Sequence, residues 1–299
     1  EPQRVFNLVR NPNYWREGQP YVDAVEIRPV LDDGARVDAL LSGELDLIEY
    51  VPWQSFDVVE ASGAQLFPSN GLQSYVRFNT DAAPLDSKPL RQAISLIINR
   101  SDVNEIAFGG YGVPMTGSLQ PQDSFYYQTE LEGANEQDLD RALELIKEAG
   151  YDSPEDVPPI DFQVSTSALS QQPAQVIQQQ LQDFGLTVEF RTIEVATLLE
   201  NRANGTYTLH MDGGGMNWPD PDYLRTMFHS EDGTNHAVGV GYSNPDLDQL
   251  LEEGASTTDE EERKAIYLQV EEMVLDDVPL SYILWRAQAE AAAANLRGF

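Results

Sequence analysis

The sequence predicts an α/β fold, because patterns typical of helices alternate with patterns typical of strands along the chain. In residues 139–149 the apolar side chains recur every three or four positions, as on the buried face of a helix. Residues 186–193 instead alternate apolar and polar side chains, as in a strand with one buried face. Hydrophobic residues make up 41% of the 299 residues, which is enough to form packed cores.

The first part of the chain contains four segments with strand patterns, which are residues 4–10, 21–30, 46–50 and 75–79. Among them, Val37, Leu40 and Leu41 predict the buried face of a helix over residues 34–42. Pro89 predicts the first turn of a further helix, since proline is favoured at that position.

The second part continues the alternation. Residues 161–166 and 207–211 are predicted strands, and residues 195–202 a predicted helix. Pro173 is expected to open another helix, which Gly185 closes. Thr258 and Glu261 form a candidate capping box for a long helix that ends before Pro279. Residues 280–285 then return to a strand pattern.

The chain is strongly acidic, with a formal net charge of −32 from 50 acidic and 18 basic residues. Nucleic acid and anionic membrane surfaces are therefore excluded as partners, because both attract basic proteins. Only three of the basic residues are lysines. Few lysines and many carboxylates resemble the composition of proteins from extreme halophiles, so we predict a halophilic source and a fold stabilised by salt.

Several classes of site have no sequence signal. The chain has no cysteine, and its three histidines have no zinc-site spacing. No nucleophile motif and no membrane-spanning apolar run occurs. We therefore expect no catalytic residues, no metal and no cofactor. The first strand pattern already begins at residue 4, which favours an N-terminally truncated chain.

Two motifs have a structural and a functional interpretation. Asp220 and Asp222 alternate with prolines, which favours a turn and a helix cap over a calcium loop. The glycines 213–215 lack the spacing of a phosphate loop and indicate a strand exit where ligand can approach the backbone. With 50 acidic residues, a pair of carboxylates at glycosidase spacing arises by chance, so a hydrolase stays open as an alternative.

Several short segments, in a shared order over nearly the whole chain, resemble the dipeptide- and oligopeptide-binding proteins of ABC importers, solute-binding family 5. The matching segments are Asn11-Pro12-Asn13-Tyr14-Trp15, residues 20–25, Leu41-Ser42-Gly43-Glu44-Leu45-Asp46, residues 78–80, Pro89-Leu90-Arg91-Gln92-Ala93-Ile94, residues 148–151, Asn217-Trp218-Pro219-Asp220-Pro221-Asp222, residues 242–248, Glu262-Arg263 and Val278-Pro279-Leu280.

The resemblance implies a two-lobed, type II periplasmic-binding-protein-like fold with an extra subdomain. It implies that residues 1–78 form the later part of lobe I, that residues 79–281 form lobe II, and that residues 282–299 return to lobe I. The extra subdomain and the first part of lobe I are then missing from this chain.

The resemblance also implies a function. A peptide-like or other polar small solute is captured between the lobes and passed to ABC permease subunits, without catalysis. The protein is expected to act as a monomer at the extracellular face of the membrane or in the periplasm, attached only by an N-terminal lipid anchor. A ligand-sensing receptor module is the second alternative.

Seven residues are predicted to contact the ligand. Three of them directly follow the glycines 213–215, namely Met216, Asn217 and Trp218. Tyr75 and Tyr282 flank the predicted lobe crossings, and Tyr111 and Tyr242 lie near predicted loops. The other tryptophans, Trp15, Trp53 and Trp285, are predicted to pack in cores.

Asn217 departs from the family pattern. In the peptide-binding members an aspartate stands at the matching position and receives the α-ammonium group of the peptide, whereas this chain has a carboxamide. An ammonium group without a charged partner is costly to bury. We therefore predict a ligand without a free α-amine, such as a sugar, a blocked peptide or another neutral solute, unless Asp212 or Asp220 supplies the charge.

Overall fold

The computed structural model describes residues 5–215, 220–231 and 241–298. Helices and strands alternate in it, as the sequence predicts. The α-helices of the described residues are α1 (Asp33–Leu41), α2 (Phe56–Ala61), α3 (Lys88–Ile97), α4 (Arg100–Phe108), α5 (Leu139–Glu148), α6 (Ala168–Asp183), α7 (Val195–Ala203), α8 (Tyr223–Phe228), α9 (Pro245–Ser256) and α10 (Glu260–Asp277).

The strands of the same residues include two long ones, β4 and β9. They are β1 (Phe6–Val9), β2 (Ala24–Ile27), β3 (Leu47–Val51), β4 (Gln65–Phe78), β5 (Val113–Pro114), β6 (Ile160–Ser165), β7 (Val188–Ile193), β8 (Leu209–Gly215) and β9 (Leu280–Ala292).

Two local predictions are wrong. Pro173 lies inside α6 and does not open it, because the carbonyl of Ser167 already accepts the N–H groups of Ser170 and Gln171 and so closes the first turn. The cap of α10 is Asp259, whose carboxylate accepts the N–H of Glu262 at 3.0 Å, one position after the predicted capping box.

The chain forms two compact units, and both boundaries between them fall inside a strand. The first unit is Glu1–Pro68 with Gln288–Phe299, and the second is Ser69–Ala287. The chain therefore passes between the units within β4 and within β9. The lobe assignment inferred from the sequence, at residues 78 and 281, stays a prediction.

In the first unit, β1 and β2 form an antiparallel pair, and β3 pairs antiparallel with the last residues of β9. A small core forms from α1, β3, α2 and the end of β9, with Val37, Ile48, Val59 and Ala289 among its buried residues. Trp53 packs against this core. Trp15 does not pack in a core: its side chain is 74% exposed, and the guanidinium carbon of Arg16 lies 4.4 Å from its ring centroid.

The second unit is an α/β structure whose strands follow the order β9-β4-β8-β6-β7. Strands β6, β7 and β8 run parallel, and β4 pairs antiparallel with β8. This parallel arrangement explains the alternation seen in the sequence, since parallel neighbours need crossover helices. No helix of the described residues is both long and apolar enough to cross a membrane.

Residues of helices α8, α9 and α10 form a core with Tyr75 of β4 and with Tyr282 and Trp285 of β9. Two of these helices approach closely where Gly254 of α9 faces Tyr267 of α10. A Cβ atom at Gly254 would lie 2.9 Å from carbons of the tyrosine ring. The ring is fixed by its hydroxyl, which donates to Asp222 at 3.0 Å.

Arg100, the first residue of α4, is buried, and among the described residues no carboxylate pairs with it. Its guanidinium donates to the backbone carbonyls of Ser95, Ile98, Asn135 and Tyr282 and to nearby serine hydroxyls. Burial lowers its pKa to about 9. The side chain thus joins the end of α3, the segment before α5 and strand β9.

Candidate ligand-binding site

The carboxyl ends of the parallel strands define the candidate site. Strands β6 and β7 end at Ser165 and Ile193, which are paired in register. Strand β8 continues past its neighbours into glycines 213–215. In open α/β sheets, ligands bind in the crevice outside the carboxyl ends of the strands, so this edge of the second unit is where ligand contacts are expected.

A buried ion pair joins β4 and β8 at this edge. Arg77 is fully buried, and its guanidinium donates to Oδ2 of Asp212 at 2.9 and 3.3 Å. Gly213 donates its backbone N–H to Oδ1 of the same carboxylate at 2.8 Å. Burial opposes ionisation of Asp212, but the charge of Arg77, with smaller contributions from the other donors and charges around it, lowers its pKa to about 2. The carboxylate is therefore charged at neutral pH.

A second arginine shares this carboxylate. Arg202 of α7, which is 27% exposed, donates to Oδ2 of Asp212 at 3.2 Å. His210 lies two residues before Asp212, and burial lowers its pKa to about 4, so it is neutral at neutral pH. Two guanidinium groups therefore face the carboxylate of Asp212. We call Arg77, Arg202 and Asp212 the arginine cluster.

Tyr75 and Tyr282 lie together beneath the same edge. Their ring centroids are 5.7 Å apart in an edge-to-face arrangement, and each side chain is at most 1% exposed. Neither hydroxyl has a hydrogen-bond partner in the part of the chain that the structure describes. Burial raises the pKa of both tyrosines above the ordinary value, so both remain neutral.

A polar network joins residues 118 and 119 to α10, α8 and β4. Glu271 of α10 accepts the hydroxyl of Ser118 and the N–H of Leu119, both at 2.8 Å. The carbonyl of Leu119 accepts the hydroxyl of Tyr223 at 2.7 Å, and Gln73 donates to the same hydroxyl at 2.9 Å. Burial raises the pKa of Glu271 to about 7, against the effect of the bonds that it accepts.

Asp220 and Asp222, at the end of the family segment 217–222, also have fixed partners. Arg263 of α10 binds both oxygens of Asp220, at 2.6 and 3.0 Å. This bidentate pairing lowers the pKa of Asp220. Asp222 accepts the hydroxyl of Tyr267 and lies 3.4 Å from Nε of Arg225.

The structure brings two of the seven predicted ligand residues together, Tyr75 and Tyr282. Tyr242 lies elsewhere in the same core, where its hydroxyl donates to Asp277 at 2.7 Å. Tyr111 follows α4 and is 45% exposed. The remaining three lie outside the described residues: Met216, Asn217 and Trp218. A ligand-binding role stays a prediction for all seven.

The sequence reasoning missed the arginine cluster. Arg77 and Asp212 are 135 positions apart, so no spacing rule connects them. The available signal was an arginine inside the apolar strand pattern at residues 75–79, because a buried cation requires a partner. Glu271 had a similar signal, since it lies on the apolar face of its helix, between Val270 and Val274.

Two other kinds of site were sought in the same residues. No group of three or more histidine and carboxylate side chains in the described ranges lies close enough to hold a metal ion. A groove of about 550 Å³ lies between α4 and α6, and its lining includes the glutamines Gln172, Gln175 and Gln179. None of the arginine cluster lines it.

Comparison with known proteins gives one family. The family model of bacterial extracellular solute-binding proteins, family 5, matches residues 1–236. The glutathione-binding protein GsiB of Escherichia coli strain K12 is 25% identical over 295 residues, which are 96% of this chain and 57% of the relative. The chain therefore spans little more than half the length of this relative.

Solved structures agree on the fold. The periplasmic binding protein AgaA of A. tumefaciens R10, solved with agropinic acid, matches all of this chain and 61% of its own, with a TM-score of 0.90 and 26% identity. DppA of Helicobacter pylori, solved with the peptide STSA, matches all of this chain and 59% of its own, with a TM-score of 0.87 and 23% identity. The fold is that of the two-lobed periplasmic binding proteins, as the sequence predicts.

Proposed function

Because the chain belongs to family 5 of the bacterial extracellular solute-binding proteins, we propose that the protein captures a polar solute outside the cytoplasm and delivers it to an ABC importer. The single observation that supports this most strongly is the family match, which includes the whole carboxyl edge of β6, β7 and β8. The relatives are named as binding proteins, including one for glutathione and one solved with agropinic acid.

The ligand of this proposal contacts the carboxyl edge of the parallel strands. In the sequence, Asn217 and Trp218 lie between the last residue of β8, Gly215, and the anchored Asp220. Trp218 provides an apolar face for the ligand, and Asn217 provides hydrogen bonds. Tyr75 and Tyr282 form the buried support beneath this edge.

The protein acts by binding and does not convert the ligand. It works as a monomer at the outer face of the membrane, with a lipid anchor, and its protein partners are ABC permease subunits.

Two alternative functions can be separated from this one. The hydrolase alternative requires turnover of the ligand, and the sensor alternative requires that no permease accepts the ligand. Uptake by the transporter separates delivery from sensing, and product analysis separates binding from hydrolysis.

The test is to identify the solute that the full-length protein retains on purification, by mass spectrometry under native conditions. Its affinity is then measured by calorimetry for wild type and Trp218→Ala. We expect Trp218→Ala to weaken binding about tenfold or more. Trp15→Ala is the matched control, since that indole is 74% exposed and lies in the first unit.

Unchanged affinity in Trp218→Ala, or equal losses in the two variants, would contradict the proposed site. Conversion of the retained solute into a product would contradict the binding function.

A further inference from the structure

We propose that Asn204 is a glycosylation site, at which an oligosaccharide is attached to the carboxamide nitrogen of the side chain. The acceptor motif is asparagine, any residue except proline, and then serine or threonine. It occurs twice in the sequence, as Asn99-Arg100-Ser101 and as Asn204-Gly205-Thr206. The inference goes beyond the proposed function and shares with it only the extracellular location, where such a modification is made.

The motif at Asn204 lies in an exposed connection between α7 and β8. Asn204, Gly205 and Thr206 are all exposed. The carboxamide of Asn204 has no hydrogen-bond partner among the described residues. It is the backbone N–H of Asn204 that closes the end of α7, by donating to the carbonyl of Glu200 at 3.0 Å. The side chain can therefore be modified without the loss of a contact.

The surroundings of this motif leave room for an enzyme to approach. A Cβ atom at Gly205 would meet only Nδ2 of Asn79 among the described residues, at 3.8 Å. The hydroxyl of Thr206 donates to the side-chain oxygen of Asn201 at 3.2 Å, and its own lone pairs are still available as acceptors. The carboxamide and the hydroxyl that the motif requires are thus both accessible from solvent.

The motif at Asn99 has the opposite environment. The side-chain oxygen of Asn99 accepts the N–H of Asp102 at 3.1 Å and caps the first turn of α4. The backbone of Asn99 binds the carboxamide of Gln180 in α6, at 3.1 and 3.3 Å. Arg100, the middle residue of the motif, is buried. Since glycosylation here requires the start of α4 to open, we expect Asn99 to stay unmodified.

A glycan on Asn204 lies away from the candidate ligand site. Asn79, which follows β4, donates its carboxamide to the carbonyl of Gly205 at 3.0 Å. Phe78, the last residue of β4, pairs with Leu209, the first residue of β8. The connection therefore lies at the amino end of β8, whereas glycines 213–215 form the carboxyl end. A strand of seven residues separates its two ends by about 20 Å.

The reaction is a glycosyl transfer from a lipid-linked oligosaccharide. The bond between the anomeric carbon of the first sugar and a phosphate oxygen of the donor breaks, and a bond from that carbon to Nδ2 of Asn204 forms. The carboxamide loses one proton, and the lipid phosphate is the leaving group. The product carries a bulky, hydrated group on the surface of the second unit.

The experiment examines the full-length protein from cells of its source organism, by mass spectrometry of proteolytic peptides. We expect an oligosaccharide on the peptide that contains Asn204 and none on the peptide that contains Asn99. In variants produced in the same cells, Thr206→Ala should abolish the modification although Asn204 is kept, and Thr206→Ser should retain it. Ser101→Ala is the matched control and should change neither peptide.

An unmodified Asn204 overturns the inference, and so does a glycan that persists in Thr206→Ala. A glycan on Asn99 overturns the argument that accessibility selects between the two motifs.

The outcome is independent of ligand capture. Asn204→Gln should remove the glycan and leave the affinity for the retained solute within about twofold of wild type. A larger loss of affinity would contradict the separation of the glycan from the ligand edge. If the protein carries the glycan but retains no solute, the proposed function fails and the inference stands.

Discussion

Arg263 of α10 binds both carboxylate oxygens of Asp220, the first described residue after the predicted ligand segment. The same guanidinium donates to the carbonyl of Gly254 at 2.8 Å and to the hydroxyl of Tyr126 at 3.0 Å. One side chain therefore joins the end of α9, the loop at residue 126 and the start of the segment that leads into α8. Helices α9 and α10, which lie later in the sequence, thereby fix the position of Asp220 at the start of the segment that leads into α8.

Replacing Arg263 by lysine should lower the free energy of unfolding by about 1–3 kcal/mol, because lysine has no planar pair of donors for a bidentate contact. Chemical denaturation followed by circular dichroism measures the change. The matched control is Arg191→Lys, since Arg191 pairs with Asp161 on the surface and is 54% exposed. An exposed pair of this kind contributes at most about 1 kcal/mol. Arg191 also binds both oxygens of Asp161, so the two pairs differ mainly in exposure. Equal losses in the two variants would show that the burial of Arg263 adds nothing to its ion pair.

Glu271 should make stability depend on pH. Its pKa is about 7 in the folded state, against an ordinary value of 4.5, so the folded protein retains a proton that the unfolded chain releases. This contribution is complete below about pH 4.5 and is lost as the pH rises through about 7, on the order of 3 kcal/mol in total.

Glu271→Gln should remove that part of the pH dependence, and the variant should be more stable than wild type at about pH 8. Denaturation curves at several pH values give the difference. Glu272→Gln, on the exposed side of the same helix, is the control and should follow wild type. Parallel curves for wild type and Glu271→Gln would mean that the buried carboxyl does not titrate in this range.

Arg100→Met should destabilise the second unit by about 3–5 kcal/mol, since it leaves several buried carbonyls without a donor. Methionine keeps an unbranched apolar side chain that can pack along the path of the arginine stem, so the effect mainly reports the lost hydrogen bonds. Urea denaturation of wild type and variant gives the value. Arg141→Met, at an exposed position of α5, should change stability by less than about 1 kcal/mol. A loss below that limit for Arg100→Met would contradict the role of the guanidinium.

Asn217→Asp should increase the affinity for the tripeptide Ala-Ala-Ala, which has a free α-amine, by about tenfold. The new carboxylate stands at the position that aspartate has in the peptide-binding members of the family and can pair with the α-ammonium group. Asn217→Ala should weaken binding of the retained solute by about 1–3 kcal/mol, the cost of an unpaired polar group. Calorimetry measures both effects. Asn13→Asp makes the same change of charge at an exposed position of the first unit and should alter neither affinity. A ligand that is insensitive to both changes at residue 217 does not contact it.

Salt should stabilise the protein beyond simple screening. With a net charge of −32 and three lysines, self-repulsion weakens the fold at low ionic strength. We expect Tm in calorimetric scans to rise from about 0.1 M to about 3 M KCl, although the Debye length is already near 3 Å at about 1 M. A Tm that stays constant over this range would rule out the halophilic interpretation.

The periodicity of apolar residues predicted regular helices and strands well. Predictions that depended on a single residue, such as Pro173 or Trp15, were wrong. Residues 139–149 were predicted as a helix, and α5 spans Leu139–Glu148, because a one-sided apolar stripe is compatible with few other structures. Pro173 misled the prediction because proline favours a first turn locally, whereas the packing of Ala174 and Ile177 holds α6 around it. Trp15 was assigned to a core by residue type alone, and burial depends on neighbours that a single sequence does not identify.

The candidate site shows the same limit. The resemblance indicated the edge after β8. It also selected Tyr75 and Tyr282 because they flank the predicted crossings, and their ring centroids lie 5.7 Å apart. It gave no indication that Asp212 is shared by two arginines, since Arg77 reaches it across 135 positions. Contacts of this kind are decided by the register between β4 and β8, which places Tyr75 opposite Asp212 and Arg77 opposite His210.

The contact between Gly254 and Tyr267 reverses a common rule of protein engineering. Replacing a helical glycine by alanine normally raises thermostability, because it reduces the entropy of the unfolded chain. At Gly254 the added methyl group would meet a tyrosine ring that is held by Asp222. At Gly34 of α1 it would meet only one side-chain oxygen, at 3.4 Å. A consensus-design or directed-evolution campaign should therefore gain from alanine at Gly34 and lose folded protein from alanine at Gly254.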